Sequence, residues 1–275
     1  MEPSYYAYRL QNWLRHQVQA KGIYSTHSPL LYEWLRRHRG AQTQAVGQME
    51  GWLMQQREAL RGRKERLIRT DFGAHGRQPP FIHRSWKDEL SEEVRPPWLH
   101  RLLHHLVALR APRRLVEVGA AAGLGTMALA AACGQSSGWI AGLEGDPKVR
   151  QEAKRLALAA ARSFPAWSQP EWYGDRVENA LPALLPEWKP LDLVVLDTLP
   201  RYEAIYPVGQ QLLDALSEQG LLVIIAPYRS PSATQAWEAL KQLPQVWSSV
   251  DAYHLGVLAV DRGLNPEHRM LRLWG

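Results

Sequence analysis

Residues 115–126 read Leu115-Val-Glu-Val-Gly-Ala-Ala-Ala-Gly-Leu-Gly-Thr126, and this stretch decides the fold. A short apolar run that contains the acid Glu117 predicts a β-strand, and glycines at 119, 123 and 125 predict a tight turn into a helix. Such a turn brings bare backbone amides and a helix N-terminus close to a bound ligand. The negative charge of Glu117 disfavours a pyrophosphate at this turn and favours a ligand that carries a cation.

The spacing of the glycines separates two classes of ligand. A dinucleotide-binding turn needs glycines at its first, third and sixth positions, but counted from Gly119 the latter two are Ala121 and Leu124. The pattern acid-x-Gly-x-x-x-Gly-x-Gly resembles instead the nucleoside-binding turn of class I S-adenosylmethionine-dependent methyltransferases. For this motif alone, an ordinary glycine-rich connection between a strand and a helix is the alternative.

From Arg113 onward, strands and helices alternate in the sequence, which predicts an α/β fold with a mostly parallel sheet. We expect five such strands and a closing antiparallel pair, at residues 115–118, 138–143, 169–173, 191–196, 220–226, 246–250 and 255–260. This inventory resembles the Rossmann-like methyltransferase fold, a seven-stranded sheet whose last strand is antiparallel. We therefore predict an S-adenosylmethionine-binding domain over residues 99–275.

Residues 1–98 have a helical pattern instead. The apolar residues of Tyr5–Gln19 follow the helical period, Ser28-Pro29 is typical of a helix start, and helix formers predict a third helix from about Thr43 to Ile68. Residues 70–80 have the composition of a loop. We expect these helices to form a cap that shapes the acceptor pocket, and a homodimer interface on the cap is left open.

Acidic residues close three of the predicted strands, namely Glu117, Glu144 and Asp197. Ligands of open α/β sheets bind at the carboxyl ends of the strands, so these acids are candidate ligand contacts. Glu144 is placed to accept hydrogen bonds from both ribose hydroxyls of the cofactor, with a helix cap as the alternative role. Glu117 would act electrostatically near the ammonium group.

The family resemblance implies further contacts with S-adenosylmethionine. They come from the glycine turn, from the end of the second strand and from the segments after the third and fourth strands: Gly119, Ala120, Ala121, Gly123, Gly125, Thr126, Gly145, Asp175, Arg176 and Asp197. Asp175 would accept a hydrogen bond from the exocyclic amine of adenine, although a helix N-cap is an equal alternative for this residue.

Residues 99–265 resemble most closely the branch that includes catechol and caffeoyl-CoA O-methyltransferases. Leu191–Asp197 with Tyr202, and the segment that starts at Gly220, carry this likeness. Metal-dependent members bind a divalent cation with the strand-four acid and an Asp-Asn pair after strand five, but here that pair is Ala226-Pro227. Two expected oxygen ligands are missing, so we predict no catalytic metal.

A proton must leave the acceptor if a hydroxyl group is to be methylated. By position, the candidates for taking that proton are Asp197, Tyr202 and His75. The N-terminal segments His27-Ser28-Pro29 and Asp71-Phe72-Gly73-Ala74 resemble the leader of a group of uncharacterised bacterial methyltransferases, which supplies no substrate.

The composition excludes several classes of protein. The chain has 275 residues, of which 45% are hydrophobic and 22% charged, and these values are typical of a soluble globular protein. No apolar run reaches the roughly 18 residues of a membrane span, and no secretion signal is evident. The single cysteine, Cys133, excludes an internal disulfide and is expected to be a buried structural thiol. We therefore expect a cytoplasmic protein.

Charge is unevenly distributed along the chain. Residues 1–98 contain 16 basic and 10 acidic residues, whereas residues 99–275 contain 17 of each. This asymmetry indicates either an anionic partner or solvated helix faces, and the second interpretation is favoured.

The function predicted from these features is S-adenosylmethionine-dependent methylation of a hydroxyl, or a nitrogen, on a small molecule. Two alternatives stay open. One is an RNA or nucleotide methyltransferase that uses the basic residues Arg57, Arg61, Arg63, Lys64, Arg66 and Arg69. The other is a cofactor-binding partner protein without transferase activity.

Overall fold

The computed structural model describes residues 3–25, 28–40, 42–70, 81–92, 96–197 and 202–273. They form two compact units, which we call the first unit (residues 1–36 and 181–275) and the second unit (residues 37–180). The domain boundary expected at residue 98 coincides with neither chain boundary between the units, at residues 36/37 and 180/181, and it stays a prediction.

Ten α-helices are found in the described part of the chain, together with short 3₁₀ turns at Ile23–Ser25 and Gly134–Ser136. The α-helices are α1 Pro3–Gln19, α2 Pro29–Arg39, α3 Gln44–Arg61, α4 Trp86–Glu92, α5 Pro97–Arg110, α6 Leu124–Cys133, α7 Pro147–Ser163, α8 Val177–Trp188, α9 Tyr202–Asp214 and α10 Pro231–Lys241. The helix start predicted at Ser28-Pro29 is confirmed, since the Ser28 hydroxyl accepts a hydrogen bond from Leu31 N at 3.4 Å.

The strands are β1 Arg66–Thr70, β2 Phe81–Ser85, β3 Arg114–Val118, β4 Trp139–Leu143, β5 Glu171–Tyr173, β6 Leu191–Leu196, β7 Leu216–Ile225, β8 Ser248–Asp251, β9 Leu255–Ala259 and β10 His268–Met270. β1 and β2 form a separate antiparallel hairpin, and the other eight belong to the main sheet. Within the first unit the order is β10-β8-β9-β7-β6, and within the second it is β3-β4-β5.

The predicted α/β fold is confirmed. Within each unit, neighbouring strands are parallel except along β9, which is antiparallel to both β7 and β8 as expected for the closing pair. The sheet has one strand more than the seven expected, because β10 pairs in parallel with β8. This strand has only three residues, His268-Arg-Met270, which is too short for a recognisable alternation of apolar and polar side chains.

The core of the second unit is built around α6, whose ten residues are all buried. Alanines and glycine make up five of the ten, so backbones can approach closely, and α3, α5 and α7 all pack against this helix. Cys133 at its end is buried, as expected, and burial raises the pKa of its thiol.

The N-terminal region contains a hairpin that the sequence did not predict. The helix expected to continue to Ile68 ends at Arg61, where the Gly62 amide donates to Glu58 and Leu60 carbonyls, and β1 starts at Arg66. β1 pairs with β2, so the expectation of helix over residues 62–68 is wrong. Tertiary pairing overrides helix propensity there, and Leu67 is buried in the extended strand.

Helix α1 is attached to the first unit through its polar face. The His16 Nε2 atom lies 3.2 Å from the Asp251 carbonyl oxygen, and the Tyr8 hydroxyl donates to Thr234 Oγ1 at 2.8 Å. The opposite face carries exposed apolar side chains, at Tyr6, Leu10, Trp13, Leu14 and Val18. The helical period of this segment was predicted correctly, but it marks a solvent-facing stripe.

Asp251 is the centre of a buried network in the first unit. Its carboxylate accepts from Tyr253 N at 3.0 Å, from Trp237 Nε1 at 3.1 Å and from the Tyr228 hydroxyl. Burial alone would raise the pKa of Asp251, but the hydrogen bonds from His16, Tyr228 and the Tyr253 amide outweigh it and lower the pKa. The network joins α1, β8 and the segment after β7.

Candidate functional site

The glycine turn between β3 and α6 has the conformation that its sequence predicts. Gly119 and Gly123 have φ values of +82° and +86°, and Ala121 between them has φ +47°. The amides of Gly119 and Ala120 both donate to the Leu143 carbonyl, at 2.9 and 3.1 Å. The turn is therefore tied to the end of β4, which carries the next candidate acid.

Gly123 is needed for packing as well as for its backbone conformation. A methyl group at this position would lie 2.9 Å from the Ala153 side chain and 2.9 Å from the Trp172 ring. Trp172 also lies over Gly142, where a methyl group would be 2.6 Å from the indole. Its Nε1 atom is buried and has no hydrogen-bond partner within the described ranges. No motif in the sequence marks this tryptophan.

Glu117 and Thr126 interact directly. The Thr126 hydroxyl, in the first turn of α6, donates a short hydrogen bond to the Glu117 carboxylate, and both side chains are fully buried. Gly125 is buried beside Thr126. The acid that ends β3 is thus attached to the helix that follows the turn.

Glu144 is held at the end of β4 by backbone amides on both of its oxygens. Oε2 accepts from Ala121 N at 3.0 Å and Oε1 accepts from Asp146 N at 2.8 Å, and the residue is only 4% exposed. Burial raises the pKa of Glu144, and the positive charge of Arg69 partly opposes that effect. Its carboxylate therefore faces the glycine turn.

The alternative role of Glu144 as a helix cap is excluded, because another residue caps α7. Asp146 caps α7, because its Oδ1 atom accepts from Lys148 N at 2.9 Å and Val149 N at 3.0 Å. The sequence signal was available, since Asp146-Pro147 combines a preferred N-cap residue with proline at the first helical position.

Arg150 connects the ends of β4 and β5. Its guanidinium donates to the Glu144 carbonyl at 2.7 Å and to the Gly145 carbonyl at 3.2 Å. It also fills the space beside Gly174, where a methyl group would lie 2.3 Å from Nη1. This arginine was not predicted, because nothing in its local sequence distinguishes it from the other arginines of α7.

Asp175 and Arg176 lie after β5 and are both exposed. Asp175 has φ +105°, and its Oδ1 atom accepts from the adjacent Arg176 amide at 2.6 Å. The Arg176 carbonyl in turn accepts from the amides of Asn179 and Ala180, so the first turn of α8 starts at Arg176. The adenine contact and the helix N-cap both stay predictions for Asp175.

The N-terminal hairpin lies against the end of β4. Thr70 N donates to Asp146 Oδ2 at 2.7 Å, and β1 packs against α7. The Arg69 guanidinium forms an ion pair with Glu89 of α4 and interacts electrostatically with Glu144 and Asp146. The sequence placed residues 66–69 only in a basic helix, so this arrangement was missed.

Asp197, in the first unit, ends β6 and is only 3% exposed. The Arg229 Nη2 atom lies 3.4 Å from Asp197 Oδ1. Both line a small pocket at the carboxyl ends of β6 and β7, together with Leu196, Ile205, Ile224, Ile225, Ala226, Pro227 and Ala233. Arg229 was not predicted as a partner of Asp197.

For the other two candidates for proton transfer, Tyr202 and His75, the structure describes no side-chain contacts. Tyr202 is the first residue of α9, and His75 lies outside the described residues, as do His27 and the segment 71–74.

The end of β7 has the residues expected from the sequence. Ala226 has φ +50° and donates its amide to the His254 carbonyl at 2.8 Å, and Pro227 follows. Among the described residues, no group of three or more His, Cys, Asp or Glu side chains could hold a metal ion. Within those same ranges, none of the helices has the length and apolarity of a membrane span.

Comparison with known proteins identifies the domain. Residues 116–224, from β3 to β7, match a family model described as a methyltransferase domain. No curated protein matches the sequence significantly.

Solved structures show the same fold. An O-methyltransferase from Bacillus cereus in complex with SAH has a TM-score of 0.52 at 16% identity, over 63% of this chain and 86% of its own. The O-methyltransferase TomG from Streptomyces achromogenes, in complex with SAM, has a TM-score of 0.51 at 18% identity, over 80% and 90%. SAH-bound PaMTH1 from Podospora anserina has a TM-score of 0.54 at 13% identity, over 82% and 91%. Residues 116–224 therefore match a methyltransferase domain, and the chain has the Rossmann-like fold of these solved methyltransferases.

Proposed function

We propose that this protein is an S-adenosylmethionine-dependent methyltransferase that methylates a hydroxyl group of a small molecule. The observation that carries the proposal is the geometry of Glu144. This carboxylate is buried at a strand end, faces a glycine turn and is fixed by the Ala121 and Asp146 amides. It has the form of a preorganised acceptor for two hydroxyl groups.

The donor set of the second unit fits the cofactor. An ionised carboxylate has about four acceptor sites, and Glu144 uses two of them for backbone amides, so that one site on each oxygen is left for a ribose hydroxyl. Glu117 supplies buried negative charge beside the turn. Asp175 is exposed after β5, where it would accept from the adenine amine. The bound cofactor would supply a methyl carbon that its sulfonium makes electrophilic.

We assign acceptor binding to Asp197 and Arg229. A hydroxyl group both donates and accepts, so its hydrogen can point to the Asp197 carboxylate while its oxygen accepts from the Arg229 guanidinium. An ammonium group has no lone pair for the guanidinium, which favours a hydroxyl over a protonated amine. Asp197 would then take the proton as the acceptor reacts. Tyr202 and His75 stay as alternative candidates.

Arg229 also supplies the positive charge that a metal ion would give to an acceptor oxygen. Ala226 and Pro227 offer no side-chain oxygen at the end of β7, and a Mg²⁺ site needs several oxygen ligands. We therefore propose that the reaction does not use a metal.

The test is transfer of labelled methyl groups from S-adenosylmethionine to a panel of phenols, enols, carboxylic acids and amines, with Asp197→Asn as the comparison. We expect labelled oxygen esters or ethers with the unmodified protein and a strong loss with Asp197→Asn. Equal labelling of amines by the two proteins would overturn the assignment of acceptor binding to Asp197 and Arg229. No binding of the cofactor at all would overturn the whole proposal.

The nucleic-acid alternative is not favoured, because several of its basic residues are already paired. Arg63 donates to Glu152 at 2.7 and 3.0 Å, Arg61 pairs with Glu58 at 3.1 Å, and Arg69 pairs with Glu89. Paired arginines add little net charge for binding phosphates. We expect little retention of the protein on immobilised RNA at physiological salt.

We also propose that the apolar stripe of α1 mediates a homodimer. Tyr6, Leu10, Trp13 and Leu14 follow the spacing of three and four residues that is typical of packed helices, and all are exposed. Two copies of α1 related by a twofold axis can bury the same stripe in each other. Leu10→Glu should convert a dimer to a monomer in light scattering, whereas Leu158→Glu, at an exposed position of α7, should not. A monomeric unmodified protein would refute this.

A further inference from the structure

The hairpin β1–β2 brings a cation to the candidate ribose site of the second unit. Arg69 is largely buried and interacts electrostatically with three carboxylates, those of Glu89, Glu144 and Asp146. Glu144 and Asp146 lie at the end of β4, whereas Glu89 belongs to α4 of the N-terminal region. The site thus includes a charge from a segment that precedes the family-matched residues 116–224.

The position of Arg69 is fixed by its surroundings. Its guanidinium is ion-paired with Glu89, which is 3% exposed and is also 3.8 Å from Arg84 Nη1 of β2. The backbone next to it is fixed as well, because Thr70 N donates to Asp146 Oδ2 at 2.7 Å. Leu67, two residues earlier on the same face of β1, is buried. Arg69 is therefore held by its own side-chain contact with α4 and by the backbone contact of the next residue with Asp146.

A buried carboxylate needs such a cation. Burial favours the protonated form of Glu144, and a protonated carboxyl group would lose acceptor sites that the two ribose hydroxyls require. The charged groups that act on Glu144 are Arg69 from β1, Glu89 from α4 and Asp146 from the β4–α7 turn. The two acids favour protonation and Arg69 opposes it, whereas the nearby Arg150 guanidinium is engaged by the Glu144 and Gly145 carbonyls.

We propose that Arg69 is a positioning residue of the cofactor site: the Arg69–Glu89 ion pair and the Thr70–Asp146 hydrogen bond hold its positive charge beside the Glu144 carboxylate that is to bind the ribose. This inference rests on the proposed function. It assigns to the N-terminal hairpin a role in cofactor binding, in addition to the acceptor-pocket role expected for this region.

The test compares SAH affinity, by titration calorimetry, of the unmodified protein with that of Arg69→Met, Arg69→Lys and the control Arg66→Gln. Arg66 is exposed on the same strand. An opposite charge nearby changes a carboxyl pKa by about 1–3, so Arg69→Met should weaken binding by about tenfold or more at pH 6. The loss relative to the unmodified protein should shrink at pH 8.5, because a higher pH favours the ionised carboxylate in both proteins. Arg69→Lys keeps the charge and should retain most of the affinity, and Arg66→Gln all of it.

A purely structural role for Arg69 predicts a different outcome in a double-mutant cycle. Glu144→Gln removes the ionisable group, so Arg69→Met should add less than about threefold in that background if it acts through Glu144. An equal loss in both backgrounds, or a loss that does not depend on pH, would overturn the proposal. Unchanged affinity of Arg69→Met would overturn it too while leaving the proposed function intact. Absence of SAH binding by the unmodified protein would instead overturn the proposed function and this inference with it.

Discussion

Replacing Glu144 by alanine tests the assignment on which the cofactor site depends. The change removes a buried carboxylate that accepts from Ala121 N and Asp146 N and that we expect to accept from two ribose hydroxyls. Hydrogen bonds to charged groups contribute roughly 1.5–3 kcal/mol each. Since water can enter the space left by the side chain and bind the ribose in its place, we expect a net loss of about 1–3 kcal/mol in the binding free energy.

That loss corresponds to a roughly 5- to 150-fold weaker Kd, since about 1.4 kcal/mol is a factor of ten. Titration calorimetry with SAH measures it directly, and Glu58→Ala, an exposed glutamate of α3 in the same unit, is the matched control. Thermal unfolding without ligand separates a binding defect from a folding defect. If Glu144→Ala folds and binds SAH as tightly as the unmodified protein, the carboxylate does not hold the ribose and the reasoning is wrong.

Three further predictions follow from the described contacts. EDTA should leave methyl transfer unchanged, and a loss of activity that Mg²⁺ restores would mean that the end of β7 does not exclude a metal site. Gly123→Ala should lower the free energy of unfolding by about 1–3 kcal/mol, because of its positive φ and its 2.9 Å contacts, whereas Gly51→Ala, in open space on α3, should not; equal stability in thermal melts would contradict this. Hydrogen bonds lower the pKa of Asp251 despite its burial, so the stability it contributes is present above its unfolded pKa of about 3.9 and is lost as the pH falls. Asp251→Asn should therefore destabilise the protein at pH 7 and flatten its acid denaturation curve, and an unchanged curve would argue against that linkage.

The cofactor half of the site could be predicted from sequence because its features are local. The glycine spacing after β3 specifies a turn with positive φ. Glu144 comes directly after an apolar strand, and ligands of parallel sheets bind at the carboxyl ends of the strands. The structure adds what local patterns do not contain. Arg150, Trp172 and Arg229 reach their partners from other elements, and no periodicity or spacing in their own segments marks them.

The N-terminal region could be predicted less well, for two physical reasons. Arg66–Thr70 has a composition that suits a helix, and only pairing with Phe81–Ser85 and burial of Leu67 select a strand. The period of α1 correctly predicts a helix, but periodicity does not reveal which face meets the rest of the protein. Here the polar face does, through Tyr8 and His16, and the apolar face is exposed.

The position of the hairpin changes how the N-terminal region relates to function. A segment that only covered an acceptor would make no contact with the residues that are to bind the methyl donor. β1 instead donates a backbone amide to Asp146, which itself donates to Glu144 and caps α7. Any rearrangement of β1 would therefore shift the turn that holds the ribose carboxylate, and Arg69 would move away from Glu144 at the same time. Cofactor affinity and the folding of residues 66–85 should accordingly be coupled, with SAH stabilising the hairpin as much as the hairpin strengthens SAH binding.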